Sequence, residues 1–263
     1  MEFAPNLQRN EYGWIILPDD VTWRKSMFPE KVMKHLAKLQ MYLEQAIYRY
    51  VSEPGDTLLD PMGGTGTLMM AALEGRQVIT IDIEGKYHEL QKEVYAHLQR
   101  NHPDIRPSIQ IYGNCKLILP IPCNHVIFSP PYGQAFKPSK KLTGIVADKY
   151  RVSEEEFQEY AKTTGNVGLR NTFLYNQDME KVYKLLFQSI RPGGTMTIVI
   201  KDIIEGGKRT YFSKWINRVC HQIGFEDYAW FKTLMMGGPW QDIRRSRGET
   251  TVDDEDTIIY RRP

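Results

Sequence analysis

The chain has 263 residues, 41% of them hydrophobic and 25% charged, which suits one folded domain with a buried core and excludes a disordered or low-complexity protein. Its formal net charge is only +2, so no global excess of one sign marks its partners, and any nucleic-acid surface must come from local clustering of charge. Cys115, Cys123 and Cys220 form no Cys-x-x-Cys pair and read as free thiols of a reducing compartment; no apolar run reaches the roughly 18 residues of a membrane span, the first ten residues show no charged-then-apolar signal, and a cytoplasmic location is expected.

Short apolar runs alternate with amphipathic stretches, which predicts a parallel sheet covered by helices. Met33, Leu36, Leu39, Leu43, Ala46 and Ile47 recur at helical spacing and predict one helix over 29–51. Strands are expected at 57–60, 77–83, 109–112, 125–128 and 196–200. Helices are expected at 67–74, 87–100, 179–190 and 212–223. A turn at Pro192-Gly193-Gly194 precedes the fifth of these strands, and 225–231 and 257–261 read as a closing pair. Two stretches break the pattern, 133–176 and 235–256. Irregular segments of that length are uncommon in a compact domain unless they have a role.

Asp60-Pro61-Met62-Gly63-Gly64-Thr65-Gly66-Thr67 lies between a predicted strand and a predicted helix. Its glycines allow a tight turn and close approach of backbone to a ligand, and the following helix points free amides at the turn. Asp82 ends the next strand about 20 residues on, where a carboxylate can accept from ribose hydroxyls. The sequence is neither a Gly-x-Gly-x-x-Gly dinucleotide turn nor a phosphate loop ending in Gly-Lys-Ser/Thr. An acid at the start of the turn suits a cofactor bearing an ammonium group rather than a pyrophosphate. The second conspicuous run, Phe128-Ser129-Pro130-Pro131-Tyr132, follows an apolar strand.

Both runs resemble the motifs of the DNA amino-methyltransferases, which modify N4 of cytosine or N6 of adenine. The first is similar to their adenosylmethionine motif, Asp-Pro-Phe-x-Gly-x-Gly-Thr, and the second to their catalytic motif, Ser/Asn/Asp-Pro-Pro-aromatic. The resemblance covers about residues 25–262. It implies a Rossmann-like class I methyltransferase: one α/β catalytic domain over 1–263, a mostly parallel seven-stranded sheet with an antiparallel closing strand, and helices on both faces. It implies that S-adenosyl-L-methionine is the cofactor, with Asp60, Pro61, Met62, Gly63, Gly64, Gly66 and Thr67 at the methionine end. Asp82 and Ile83 match the ribose-binding segment. Asn114 and Cys115 lie where the family often has an acid facing the adenine amine, and the amide keeps an acceptor there. Phe28-Pro29 resembles the family's Phe-Pro segment that packs on the methionine moiety; read by itself it is a helix start with proline in the first turn.

The catalytic motif has a chemical purpose. An exocyclic base amine is a poor nucleophile because its lone pair is delocalised into the ring. The Ser129 hydroxyl and the Pro130 carbonyl, held by two prolines, can accept its protons and free the lone pair. Tyr132 would stack on a flipped base. Ser in the first position is the family's more frequent choice for cytosine N4, and Asp or Asn for adenine N6. The expected function is therefore cytosine-N4 methylation of duplex DNA, as in restriction-modification, by base flipping and without metal or membrane. Adenine N6, an RNA base and a non-catalytic DNA-binding subunit are the alternatives, and a homodimer is an open option. The source, if prokaryotic, would place it at the nucleoid. Segment 133–176 sits where the family reads its target sequence, and its Lys137, Lys140 and Lys141 are candidate phosphate contacts. Trp240, Arg244, Arg245 and Arg247 in the basic loop 235–256 form a second candidate surface. The cofactor motif precedes the catalytic one, whereas many cytosine-N4 enzymes have the reverse order and some RNA enzymes share this one. The six histidines show no metal-ligand spacing, Cys115 and Cys123 lack further ligands, and no Gly-x-Ser-x-Gly elbow supports a hydrolase.

Overall fold

In a computed structural model, residues 2–34, 38–131, 163–205, 207–235 and 246–263 are described. The chain opens with two short strands, β1 (Gln8–Arg9) and β2 (Ile15–Ile16), then α1 (Val21–Met27), a 3-10 turn at Glu30–Lys34 and α2 (Met41–Val51). It continues through β3 (Thr57–Asp60), a 3-10 helix at Thr67–Glu74, β4 (Gln77–Asp82), α3 (Gly85–Asn101), β5 (Ser108–Tyr112), α4 (Cys115–Ile118) and β6 (Cys123–Phe128). After a 3-10 turn at Val167–Leu169 come α5 (Thr172–Ser189), β7 (Ile190–Ile200), the hairpin strands β8 (Ile203–Glu205) and β9 (Lys208–Thr210), α6 (Phe212–Ile223), β10 (Glu226–Leu234) and β11 (Asp254–Arg261).

The main sheet has the order β1-β2-β10-β11-β7-β6-β3-β4-β5. From β7 to β5 every pairing is parallel, whereas β11 runs antiparallel to both β7 and β10. Seven long strands thus form the expected sheet with its antiparallel closing strand, and β1 and β2 extend it beyond the expected edge. Separate cores fill the two faces. Leu43 and Ile47 of α2, Met69 and Met70 of the 67–74 helix, and Val94 and Leu98 of α3 pack on one. Met179, Val182 and Leu186 of α5 and Ile216 and Val219 of α6 pack on the other. Apolar burial on both faces is why the strands read as near-continuous apolar runs rather than as alternating ones.

The chain builds β3, β4 and β5 outward in one direction, then returns to place β6 on the other side of β3. The strand order reverses between β3 and β6, whose register pairs Leu58 with His125 and Leu59 with Val126. The crevice beyond the carboxyl ends of strands at such a reversal is where open α/β sheets bind ligands. Asp60 and Ser129 emerge there, side by side.

Four expectations about the elements needed correction. The helix over 29–51 is two pieces: Phe28 is extended, and Gln40 is an N-cap whose side chain accepts from Leu43 N at 3.0 Å, so α2 starts afresh at Met41. The turn at 192–194 is an excursion inside β7. Between the pairs Cys123–Ile190 and His125–Thr195, β7 advances five residues and β6 only two. Finally, α5 begins at Thr172, inside the stretch read as irregular, because Asn171 caps it by accepting from Leu174 N at 2.9 Å. The basic loop is shorter too, since β11 starts at Asp254. No helix of the described residues is long and apolar enough to cross a membrane.

Candidate active site

A cavity of about 490 Å³ opens at the strand-order reversal. Asp60 through Thr65, Thr67, Asp82, Ile83, Asn114 and Cys115 line it, and so do Ser129, Pro130 and Pro131. The two motifs therefore share one space.

The glycine turn is held by its own hydrogen bonds. Asp60 Oδ1 accepts from Met62 N at 2.9 Å, Gly63 N donates to Ile81 O at 2.9 Å, and Gly66 N donates to Gly63 O at 2.7 Å. Gly66 adopts φ +76°, the left-handed region that favours glycine. A Cβ on Gly63 would lie 2.8 Å from Gln91 Nε2 and 2.9 Å from Thr80 Cβ, so only glycine fits there. Behind the turn, the fully buried Gln91 donates to Gly64 O at 3.0 Å and accepts from Thr80 Oγ1 at 2.8 Å, which fixes the turn to β4 and α3.

The acids around this turn are starved of water. Desolvation pushes the Asp60 carboxyl up to about 7, against the Met62 N–H that favours its charge, with Asp82 pushing it further up. Asp82 rises to about 6 by burial, although Gly64 N and Glu84 N each donate to it at 2.8 Å. Glu44 is 2% exposed, its Oε1 has no hydrogen-bond partner, and burial with Asp60 nearby drives its carboxyl well above the usual range. A buried carboxyl oxygen without a donor is costly unless a ligand supplies one. Three carboxyl groups at one end of a cavity fit a ligand with a cationic end and hydroxyls. The glycine cradle, which a Cβ would fill, fits close contact with its body.

The opposite wall is set by the segment that follows the 132–162 stretch. Glu84, 5% exposed, accepts from Thr163 N at 3.1 Å, Thr163 Oγ1 at 2.8 Å and Asn166 Nδ2 at 2.7 Å. This latch brings Gly165, Asn166 and Val167 onto the cavity beside Asn114. Asn114 caps α4, its Oδ1 accepting from Lys116 N at 3.0 Å, and that oxygen retains a second lone pair for a ligand. Burial pushes the Cys115 thiol up to about 12, so it offers surface rather than a thiolate.

Other residues singled out in the sequence fall elsewhere. Phe28 is buried in the core under α2, and neither it nor Pro29 is on the cavity wall. The upstream segment contributes Lys38, Leu39, Gln40 and Glu44 instead. The buried Arg24 holds that segment in place, donating to Leu39 O at 2.7 Å, Asp20 Oδ2 at 2.5 Å and Thr67 Oγ1 at 3.2 Å. Arg247 is exposed. Tyr132, Lys137, Lys140, Lys141, Trp240, Arg244 and Arg245 lie outside the described residues. No group of three metal-ligating side chains occurs among the described residues. Glu44, Glu84 and Asn166 escaped the sequence reading. Glu44 had a signal, since it sits on the buried stripe of α2 with Met41, Ile47 and Tyr48; the latch residues had none.

Among solved structures, the fold is similar to a SAM-dependent methyltransferase from Methanosarcina mazei, at 12% identity and TM-score 0.52, covering 82% of this chain and 96% of that one. The chain has the class I methyltransferase fold. The [4+2]-cyclase SpnF matches as well, at 13% identity and TM-score 0.52 over 86% of this chain and 84% of its own, so the fold by itself does not fix the reaction. TrmN from Thermus thermophilus aligns at 15% identity and TM-score 0.49 over 88% of this chain, which spans only 52% of TrmN. No curated protein matches the sequence. Residues 30–116 match the family model of the UPF0020, RMKL-like, methyltransferase domain. The matched segment is less than half of the chain, and it contains the glycine turn, Asp82 and Asn114. A methyltransferase with S-adenosylmethionine as cofactor is supported by that match together with the fold and the acid-lined cradle.

Proposed function

We propose that this chain methylates an exocyclic amino group of a nucleic-acid base, and that its target is N4 of cytosine in DNA. The observation that carries the reading is the shared cavity: Ser129, Pro130 and Pro131 line the same space as Gly64 and Asp82. Asp60 and Glu44 would hold the amino end of the cofactor, Asp82 its ribose, and Asn114 with the 165–167 segment its adenine. S-adenosylmethionine, when bound, supplies a methyl group on a sulfonium sulfur.

The chain's own residues then have to prepare the amine. Ser129 Oγ accepts a hydrogen bond from one amine N–H and Pro130 O from the other, drawing the nitrogen toward a tetrahedral geometry in which its lone pair is available; the one proton that the amine loses on methylation leaves past Ser129 to water. The proline ring at 130 fixes φ at its own residue, and Pro131 restricts residue 130 further, so the acceptors need no reorganisation during the reaction. Tyr132 would cover the face of the extruded base. Lys137, Lys140 and Lys141 would bind phosphates beside the target, and the arginines at 244, 245 and 247 with Trp240 a second stretch of strand.

An RNA base is the second reading. It is favoured by the order of the motifs, cofactor turn before Pro-Pro turn, and by the similarity of residues 30–116 to an RMKL-like domain. Incubation with methyl-labelled S-adenosylmethionine and either duplex DNA or RNA, followed by digestion to nucleosides, separates the readings. Label in N4-methyldeoxycytidine is the expected result. Label in N6-methyldeoxyadenosine overturns the choice of base, and label in RNA alone overturns the choice of polymer. No label in any nucleoside overturns the proposal as a whole.

A further inference from the structure

The cavity that holds Ser129 on its wall is also lined by Lys201, Met235 and Glu255, none of which belongs to either sequence motif. Lys201 follows the last residue of β7, and Glu255 lies in β11. The antiparallel register pairs Ile200 with Asp256, so the next position sets Lys201 opposite Glu255. Side chains alternate faces along a strand. Asp254 and Asp256 turn the other way: Arg209 donates to Asp254 at 2.8 and 2.9 Å, and Trp230 Nε1 and Lys232 Nζ donate to Asp256 at 2.8 and 2.9 Å. That ionic cluster clamps the start of β11 and leaves Glu255 on the cavity side beside Lys201. Burial raises the Glu255 carboxyl, the Lys201 ammonium lowers it and Asp256 raises it, which is the electrostatic mark of the Lys201–Glu255 approach.

A cytosine whose N4 lies on Ser129 presents two further acceptors along the same edge, N3 and O2. An adenine presents N1, and then a C2–H where cytosine has O2. We infer that Lys201 is the base-selecting residue of this site, donating from Nζ to O2 of the target cytosine, with Glu255 as the positioning residue that holds the ammonium on the base edge. With adenine in the cavity the ammonium would face a C–H and lose its acceptor. The inference rests on the cytosine reading above and adds the group that enforces it.

The test uses the full chain and a duplex bearing the site mapped by the labelled-nucleoside assay. A second duplex carries a 2-aminopyridine C-nucleoside at the target, which keeps the amine and ring nitrogen but has no carbonyl. Removing a charged donor in Lys201→Met is expected to lower kcat/KM on cytosine by about 10- to 100-fold. On the carbonyl-free analogue the loss is expected to be under about threefold, because the partner is already gone. Affinity for the cofactor product S-adenosylhomocysteine stays unchanged. Duplex affinity in its presence, read by fluorescence anisotropy, falls for cytosine and not for the analogue. Glu255→Gln shows the same cytosine-specific loss in smaller measure. Equal losses on both duplexes, or none, overturn the assignment of Lys201 while leaving the methyltransferase reading intact. Wild-type label in adenine alone overturns the assignment together with the choice of base, and no label in any duplex removes both.

Discussion

Asp60 is the most informative single residue, because its charge state ties the glycine turn to what the turn would bind. Its folded-state carboxyl titrates at about 7 rather than the ordinary 3.8, so between those values the native state holds a proton that the unfolded chain has released. Stability from this group is therefore fully present below 3.8 and lost as pH rises toward 7. Asp60→Asn should be no more stable than wild type at pH 4 and measurably more stable at pH 8, seen as a difference in Tm that grows across that interval and then levels off. The same variant should bind S-adenosylhomocysteine more weakly at pH 8, because it can no longer offer a carboxylate to the amino group. A Tm difference independent of pH would show that Asp60 is ionised in the folded protein. Ser129 makes the complementary case on the same cavity. Ser129→Ala should lower kcat by about 100-fold, as loss of one transition-state hydrogen-bonding group does, with S-adenosylhomocysteine affinity within about twofold. Equal loss of both would move the chemistry away from Ser129.

At the scale of elements, the sequence declared whatever local physics decides. The strands β3, β4 and β6, the helix α6 and the glycine turn were all legible from apolar runs, 3.6-residue spacing and Gly/Pro punctuation. The failures share a cause. Leu39 continues an apolar helical pattern, yet tertiary contacts from the buried Arg24 and from Asp20, which accepts from Met41 N at 2.9 Å, break the helix and deliver 38–40 to the cavity. Helical periodicity cannot see an arginine 15 residues away. The Glu84 latch was illegible for the same reason, since it joins positions about 80 residues apart. Glu84→Ala should release the 163–169 segment, raising its amide hydrogen exchange, and should weaken S-adenosylhomocysteine binding by about tenfold, from the loss of a charged acceptor that serves three donors. Unchanged exchange there would mean the segment is held by other contacts. In the turn itself, Gly63→Ala should destabilise the chain by about 1–3 kcal/mol, because the added methyl meets Thr80 and Gln91 with no room to yield. Chemical denaturation gives the value, and a neutral result would show that the turn relaxes.

For the whole molecule, topology was legible and partner choice was not. Alternating apolar runs and helices predicted a parallel sheet covered by helices, the motif resemblance implied helices on both its faces, and the strand-order reversal then placed both motifs at one crevice. Charge could not do the same for the substrate, since +2 overall is compatible with many partners. The cationic residues proposed to meet nucleic acid fall in two stretches of the sequence, 133–176 and 235–256. Replacing Lys137, Lys140 and Lys141 by alanine should reduce the slope of log affinity against log salt by up to about 3, with little change in cofactor binding. A slope that does not change would remove that segment from the interface. The Ser129 turn and the Gly64 turn line one cavity, and the proposed function requires that cavity to hold cofactor and base together. A crystal structure of the chain with S-adenosylhomocysteine and a duplex bearing its mapped site measures this directly. The expected result is the homocysteine amino group at Asp60 and Glu44, with Ser129 Oγ within about 3 Å of the extruded base's exocyclic nitrogen. A base amine bound away from Ser129, or a cofactor outside the cavity lined by Gly64, would contradict it.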